Sequence, residues 1–188
     1  MNTKKKLLAA TAALVAAGTA ATVGAVAASA AAPEAATKTA ATKTTVKADA
    51  AEGNLVQSAH LSVAAATRAA QAGLEAAAKE GQKVSVAVVD RNGNTIVTLR
   101  GDGAGPQSYA SAEKKAFTAV SWNAPTSVLV GRLSQTPNLK DIPGTLFLPG
   151  GVPVQAKGAP VAGIGVAGAP SGDLDEKFAR AGAAALGQ

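Results

Sequence analysis

The spacing of apolar and small residues changes several times along this chain, and each change marks an element. Leu61 to Lys79 (LSVAAATRAAQAGLEAAAK) is Ala-dominated, which favours a helix, with Ser62 placed to cap it and Gly81 to stop it. Lys83 to Asp90 (KVSVAVVD) is short and β-branched between turn formers. Thr95 to Arg100 (TIVTLR) follows across Arg91-Asn92-Gly93-Asn94. Two such runs around Asn-Gly predict a β-hairpin. After a Gly101–Gly105 loop, Tyr109 to Trp122 has helical spacing, with Ala112, Ala116, Phe117 and Val120 on one side. Asn123-Ala124-Pro125 breaks that helix, and Ser127 to Leu133 predicts a second, shorter one. Lys140 to Gly151 (KDIPGTLFLPGG) reads as an ordered loop or short strand. Val152 to Gln155 and Pro160 to Val166 flank a Lys157-Gly158 turn and predict another hairpin, and Leu174 to Leu186 closes the chain as an amphipathic helix. The order is helix, hairpin, helix, helix, hairpin, helix. Hairpins pair neighbouring strands antiparallel, so the fold class is α+β, a mainly antiparallel sheet with helices packed on it.

The start of the chain follows a different pattern. Lys4, Lys5 and Lys6 precede an uncharged run from Leu7 to Ala27, and Ala28-Ser29-Ala30 has the small-x-small form that signal peptidase accepts. Residues 1–30 are therefore read as a secretory signal peptide. The run is long enough to span a bilayer, at about 20 residues. Its Ala, Gly and Thr content and the adjoining cleavage pattern favour export instead, to an extracellular or cell-wall location. Residues 31–50 are Ala, Thr and Lys with almost no large apolar side chains, so they cannot offset the entropy of ordering and are read as a disordered linker. The folded domain is expected over 51–188.

Composition narrows the chemistry. The net charge of +6 shrinks on export, because three of the 18 basic residues lie in the leader and the remaining 15 face 12 acidic ones. With one Trp, one Tyr and three Phe, this weak positive balance does not make a nucleic-acid surface. Cys is absent and Met1 is the sole methionine, so the exported protein carries no sulfur. Such a domain has no disulfides, resists oxidants, and must bind any metal through oxygen or nitrogen. His60 is the only histidine, which makes it the one strong nitrogen ligand for a transition metal or haem iron.

Several motifs compete for a role. Gly101-x-Gly103-x-Gly105 has the wrong spacing for a phosphate loop and reads as a turn-rich connection. Ser111-Ala112-Glu113-Lys114 matches SxxK, yet neither SDN nor KTG follows, so a hydrolase using Ser111 and Lys114 is the weakest reading. Ile142 to Gly151 (IPGTLFLPGG) gathers Ile142, Pro143, Leu146, Phe147 and Leu148 around one hydroxyl, Thr145. That combination suits either a flat apolar ligand such as haem, with propionates meeting Arg132 or Lys140, or a hydrophobic edge in a core or subunit interface.

Four blocks then bear on family. Val84 to Gly93 (VSVAVVDRNG), Ala112 to Ala119 (AEKKAFTA), Pro149 to Val154 (PGGVPV) and Pro160 to Gly168 (PVAGIGVAG) occur in an order and spacing that resembles the GlcG-like, haem-degrading domain family, from about residue 58 to the end. With the exported N-terminus, the likeness points to the family's extracellular haem-binding branch. The resemblance implies a homo-octamer that binds haem and iron ions and slowly degrades haem in the presence of oxidant, releasing iron. It further implies modulation of the extracellular part of a membrane sensor histidine kinase in a two-component system under redox stress. By position, the branch's haem-linked threonine falls on Thr145 and its N-terminal histidine on His60. The branch's iron surface uses glutamates at i and i+3 on a helix; here the second is Glu113 but the first position holds Ala110, so half the chelate is missing. A corrinoid- or flavin-type binding module, or a purely structural oligomer on the same fold, is the alternative.

Overall fold

The structure is a computed structural model that describes residues 48–187, so the leader and nearly all of the linker lie outside the described residues. Ala50–Gln188 forms one compact unit. Its order is α1 (Val63–Lys79), β1 (Ser85–Asp90), β2 (Thr95–Arg100), α2 (Pro106–Trp122), α3 (Thr126–Val130), β3 (Gly151–Ala156), β4 (Ala159–Ala167) and α4 (Gly172–Ala184). This is the expected helix, hairpin, helix, helix, hairpin, helix order.

Local chemistry accounts for most boundaries. The Ser62 hydroxyl accepts the Ala65 N–H at 3.2 Å and caps α1. Helix α2 begins at Pro106, earlier than its apolar spacing predicts, because proline's fixed φ and missing N–H are harmless in the first turn. It ends at Asn123, which takes the left-handed conformation with φ 49°. The second short helix is curtailed: α3 stops at Val130, and the chain continues through 3-10 turns at Gly131–Ser134 and Pro137–Asp141. The stretch leading to Gly151 is loop rather than strand. In the first hairpin the Asp90 carboxylate accepts the N–H groups of Asn92 (2.8 Å) and Asn94 (2.9 Å), while Gly93 supplies a φ of +90°. A register shift between Val88 and Val89 follows from this four-residue connection.

Strand order is β2-β1-β4-β3, with every pair antiparallel. The two hairpins thus lie side by side, joined by β1 against β4 in the register Ser85↔Ala167 through Asp90↔Ala162. Alternation then divides the sheet into unlike faces. On one, Val86, Val88, Val152, Ile164 and Val166 meet α1 and α4, whose Ala66, Ala69, Ala70 and Phe178 complete the main core. On the other, Ser85, Ala87 and Val89 of β1 lie beside Ala167, Gly165 and Gly163 of β4, with Gly151 beyond Gly165. That floor is almost free of side chains, and α2 lies directly on it. A Cβ at Gly165 would collide with the Ala112 carbonyl oxygen, one at Gly163 with that of Ala116, and one at Gly151 with that of Lys115.

Candidate functional site

Where α2 leaves the flat floor, the β1–β2 turn and the Ile142–Leu148 loop rise on either side of it. The space between them is an open groove of about 270 Å³, lined by Val89, Gly93, Thr95, Glu113, Lys114, Phe117 and Gly144. Phe117 is its centre. A Cβ at Gly93 would lie 2.8 Å from the Phe117 ring, and one at Gly144 would lie 3.6 Å from it. Both glycines have positive φ, +90° and +83°, so two tight turns press backbone against opposite parts of one aromatic ring.

The loop is held by hydrogen bonds to α2. The Thr118 hydroxyl donates to the Lys114 carbonyl at 2.7 Å and accepts the Leu146 N–H at 2.8 Å. Thr145, next to Gly144, closes its own turn: its hydroxyl donates to the Ile142 carbonyl at 2.8 Å. The only hydroxyl proton is thereby used, and it is Gly144 rather than Thr145 that lines the groove. The apolar cluster expected around Thr145 splits. Phe147 turns inward, buried, and meets Trp122 edge-to-face with centroids 5.3 Å apart, while Ile142 and Leu148 remain exposed. Edge-to-face packing on half-buried Trp122 is worth more to the ring than exposure on the loop surface.

Glu113 faces the groove from α2, and the Thr98 hydroxyl of β2 donates to its carboxylate at 2.9 Å. Ala110, one turn earlier, is exposed. Among the described residues no group of three or more His, Asp or Glu side chains is placed to hold a metal ion. His60 lies on the exposed N-terminal arm, its Nε2 sharing a 2.8 Å hydrogen bond with the Ser58 hydroxyl. It lies near Asp90, at the base of the turn that carries Gly93, and is not among the groove-lining residues. Burial is the largest influence on the Asp90 carboxyl and pushes it up, but hydrogen bonds from Asn94 and Asn92 together with the His60 charge hold it below the ordinary range. Arg132 and Lys140, expected to meet haem propionates, sit exposed in the 3-10 turns outside the groove lining. No hydrogen bond joins Ser111 to Lys114 among the described residues, and the adjacent Lys115 is committed elsewhere.

That commitment supports the site from beneath. Lys115 reaches past the start of β3 to Asp175 of α4 at 2.7 Å and to the Val166 carbonyl at 3.1 Å, with both charged side chains 5% exposed. Burial pushes the Asp175 carboxyl above its ordinary range, and the Lys115 ammonium with the Ala169 and Gly168 N–H groups offsets only part of this. The next residue, Glu176, holds the start of α3 by accepting the Ser127 N–H (3.0 Å) and hydroxyl (2.7 Å). Two consecutive carboxylates therefore tie α2 and α3 to α4.

Of the expected site residues, Glu113 lines the groove, Thr145 follows the lining residue Gly144, and His60 is not part of the lining. Phe117 and Thr118 were missed as site residues. A hydroxyl on the apolar side of a helix was the available signal for Thr118. The lining suits a porphyrin in part: the Phe117 ring as a wall, glycine turns at Gly93 and Gly144, the Thr95 hydroxyl and the Lys114 ammonium, with the Glu113 carboxylate opposing an anionic group on its side. The volume covers only part of such a ligand, since ligand pockets usually hold about 300 to 1,000 Å³.

The fold is an α+β domain whose antiparallel sheet carries α1 and α4 on one face and α2 on a small-residue floor on the other. A family model described as "Haem degrading protein HbpS-like" matches residues 61–184, and the chain belongs to that family. Membership ties its function to haem. A double Glu-to-Asp variant of HbpS from Streptomyces reticuli shares 74% identity with the chain, covering 76% of it and 98% of HbpS, with a TM-score of 0.75. A second HbpS structure has 76% identity, coverages of 75% and 100%, and a TM-score of 0.74. PduOC, solved as a complex with haem, has 26% identity, coverages of 68% and 95%, and a TM-score of 0.62. No curated protein matches the chain.

Proposed function

We propose that this is an exported haem-binding protein that holds haem against Phe117 between the Gly93 and Gly144 turns, with the Thr145 oxygen facing the ligand. The observation carrying the reading is that groove, in a chain whose family is defined by haem. When bound, haem supplies iron that reacts with peroxide. The chain's own part is to bind the ring, keep one face from water and offer no oxidisable sulfur. Slow oxidant-dependent breakdown with release of iron follows as the activity. Affinity is modest, because a hydroxyl is a weak iron ligand compared with imidazole or thiolate. The leader-like start supports secretion. The likeness to HbpS supports a homo-octamer that signals to the extracellular part of a membrane sensor histidine kinase. Glu113 contributes to iron binding only with carboxylates from a neighbouring subunit.

Haemin titration of the protein lacking residues 1–30 tests the reading, followed at the Soret band and by Trp122 quenching, with and without peroxide. Saturation at micromolar haemin is expected, with the Soret band bleaching once peroxide is added. Thr145→Ala should shift the band and weaken binding severalfold. No saturable change would sink the haem reading, and an unaltered Thr145→Ala response would remove that residue from it. The small volume of the groove favours one other reading, a flavin-sized conjugated ring. Saturable flavin mononucleotide binding without a haemin response would establish that instead.

A further inference from the structure

Lys114 stands on the rim of the groove, exposed, three residues before Phe117 on α2 and therefore on the same side of the helix. The three ion pairs among the described residues join Lys115 to Asp175, Lys177 to Glu80 and Arg180 to Glu176, and Lys114 belongs to none of them. The one carboxylate near it in the lining, Glu113, is engaged by Thr98 at 2.9 Å. An aromatic wall beside an uncommitted ammonium recognises a flat ring that carries an anion at its edge. On the strength of the haem reading above, we infer that Lys114 selects porphyrins with free propionates over those whose carboxylates are esterified or missing.

The reasoning is one of placement and competition. The ring's apolar plane belongs on Phe117, and Glu113 repels a carboxylate approaching from its side. Only Lys114 remains in the lining to receive the anionic edge. No existing ion pair has to be broken for it to do so. The gain is that of a solvent-accessible charge pair, about fivefold in affinity, and it falls as salt rises.

Haemin and haemin dimethyl ester, titrated against the protein and its Lys114→Gln and Lys114→Arg variants, test this. The unaltered protein should bind haemin about fivefold more tightly than the ester, more so at low salt. Lys114→Gln should weaken haemin by that factor, leave the ester unchanged and so abolish the preference, whereas Lys114→Arg retains it. Equal weakening of both ligands in Lys114→Gln, or no weakening of either, overturns the assignment while leaving the haem reading intact. Failure of the unaltered protein to bind haemin overturns both. Because Lys114 is exposed, far-ultraviolet circular dichroism should be the same for all three proteins.

Discussion

Lys115 and Asp175 meet where three elements converge, and Gly150 passes so close that a Cβ there would lie 2.8 Å from the ammonium. Neither charge has water to fall back on. Removing one partner of such a pair costs about 3 to 5 kcal/mol, whereas replacing both with apolar groups of similar size is often neutral. Lys115→Met should therefore be strongly destabilised in urea melts, and Lys115→Met with Asp175→Leu should recover most of the loss; strict additivity would contradict the pairing. The neighbouring carboxylate sets an acid limit. Burial, the largest influence on Glu176, pushes it up, but bonds from Ser127 and Arg180 hold the carboxyl below the ordinary range. A depressed carboxylate contributes stability above its unfolded pKa and loses it as pH falls through the folded value. Glu176→Gln should be less stable than the parent near neutrality, and the gap should close as pH drops below the usual glutamate range. Asp175, being raised, acts in the opposite sense, stabilising at low pH and costing stability as pH climbs through its folded value. A gap for Glu176→Gln that stays constant across that acid range would refute its role.

At the scale of elements, α2 is seated by the absence of side chains beneath it. Gly163 and Gly165 let its backbone descend onto β4, and that descent lets Phe117 and Glu113 emerge at the groove. Gly165→Ala drives a methyl group into the Ala112 carbonyl of α2 and forces the helix up from β4, and overpacking of this kind costs about 1 to 3 kcal/mol. A lowered melting temperature is expected, together with a weaker Soret response, because the displaced helix carries Phe117 with it. A fully stable Gly165→Ala variant would contradict the close seating. The elements themselves were largely legible beforehand. Ala content and Ser62 announced α1, Asn-Gly announced the first hairpin, and the Lys157-Gly158 turn announced the second. The short helix after Pro125 was overextended, because the apolar side chains of Ser127 to Leu133 are compatible with both an α-turn and the 3-10 turns that tertiary packing selects there.

At the scale of the molecule, one protomer offers an open groove of about 270 Å³, too small to enclose a porphyrin alone. The proposed octamer would bring further surface over the groove, and on that proposal light scattering of the protein lacking residues 1–30 should return a mass near eight chains. A monomer at micromolar concentration would remove the octamer from the proposal. The sequence by itself determined the element order, the α+β class and the family, because these depend on local spacing, turn residues and composition. Tertiary structure alone decided that β1 pairs with β4, that Phe147 leaves the loop for Trp122, and that Glu113, Phe117 and the Thr145 turn share a groove from which His60 is absent. The reason is physical. Backbone turns and helix caps are set by neighbours within a few residues. A site is set by which surfaces can approach, and here that depended on glycines of β4 lying under a helix some fifty residues earlier in the chain.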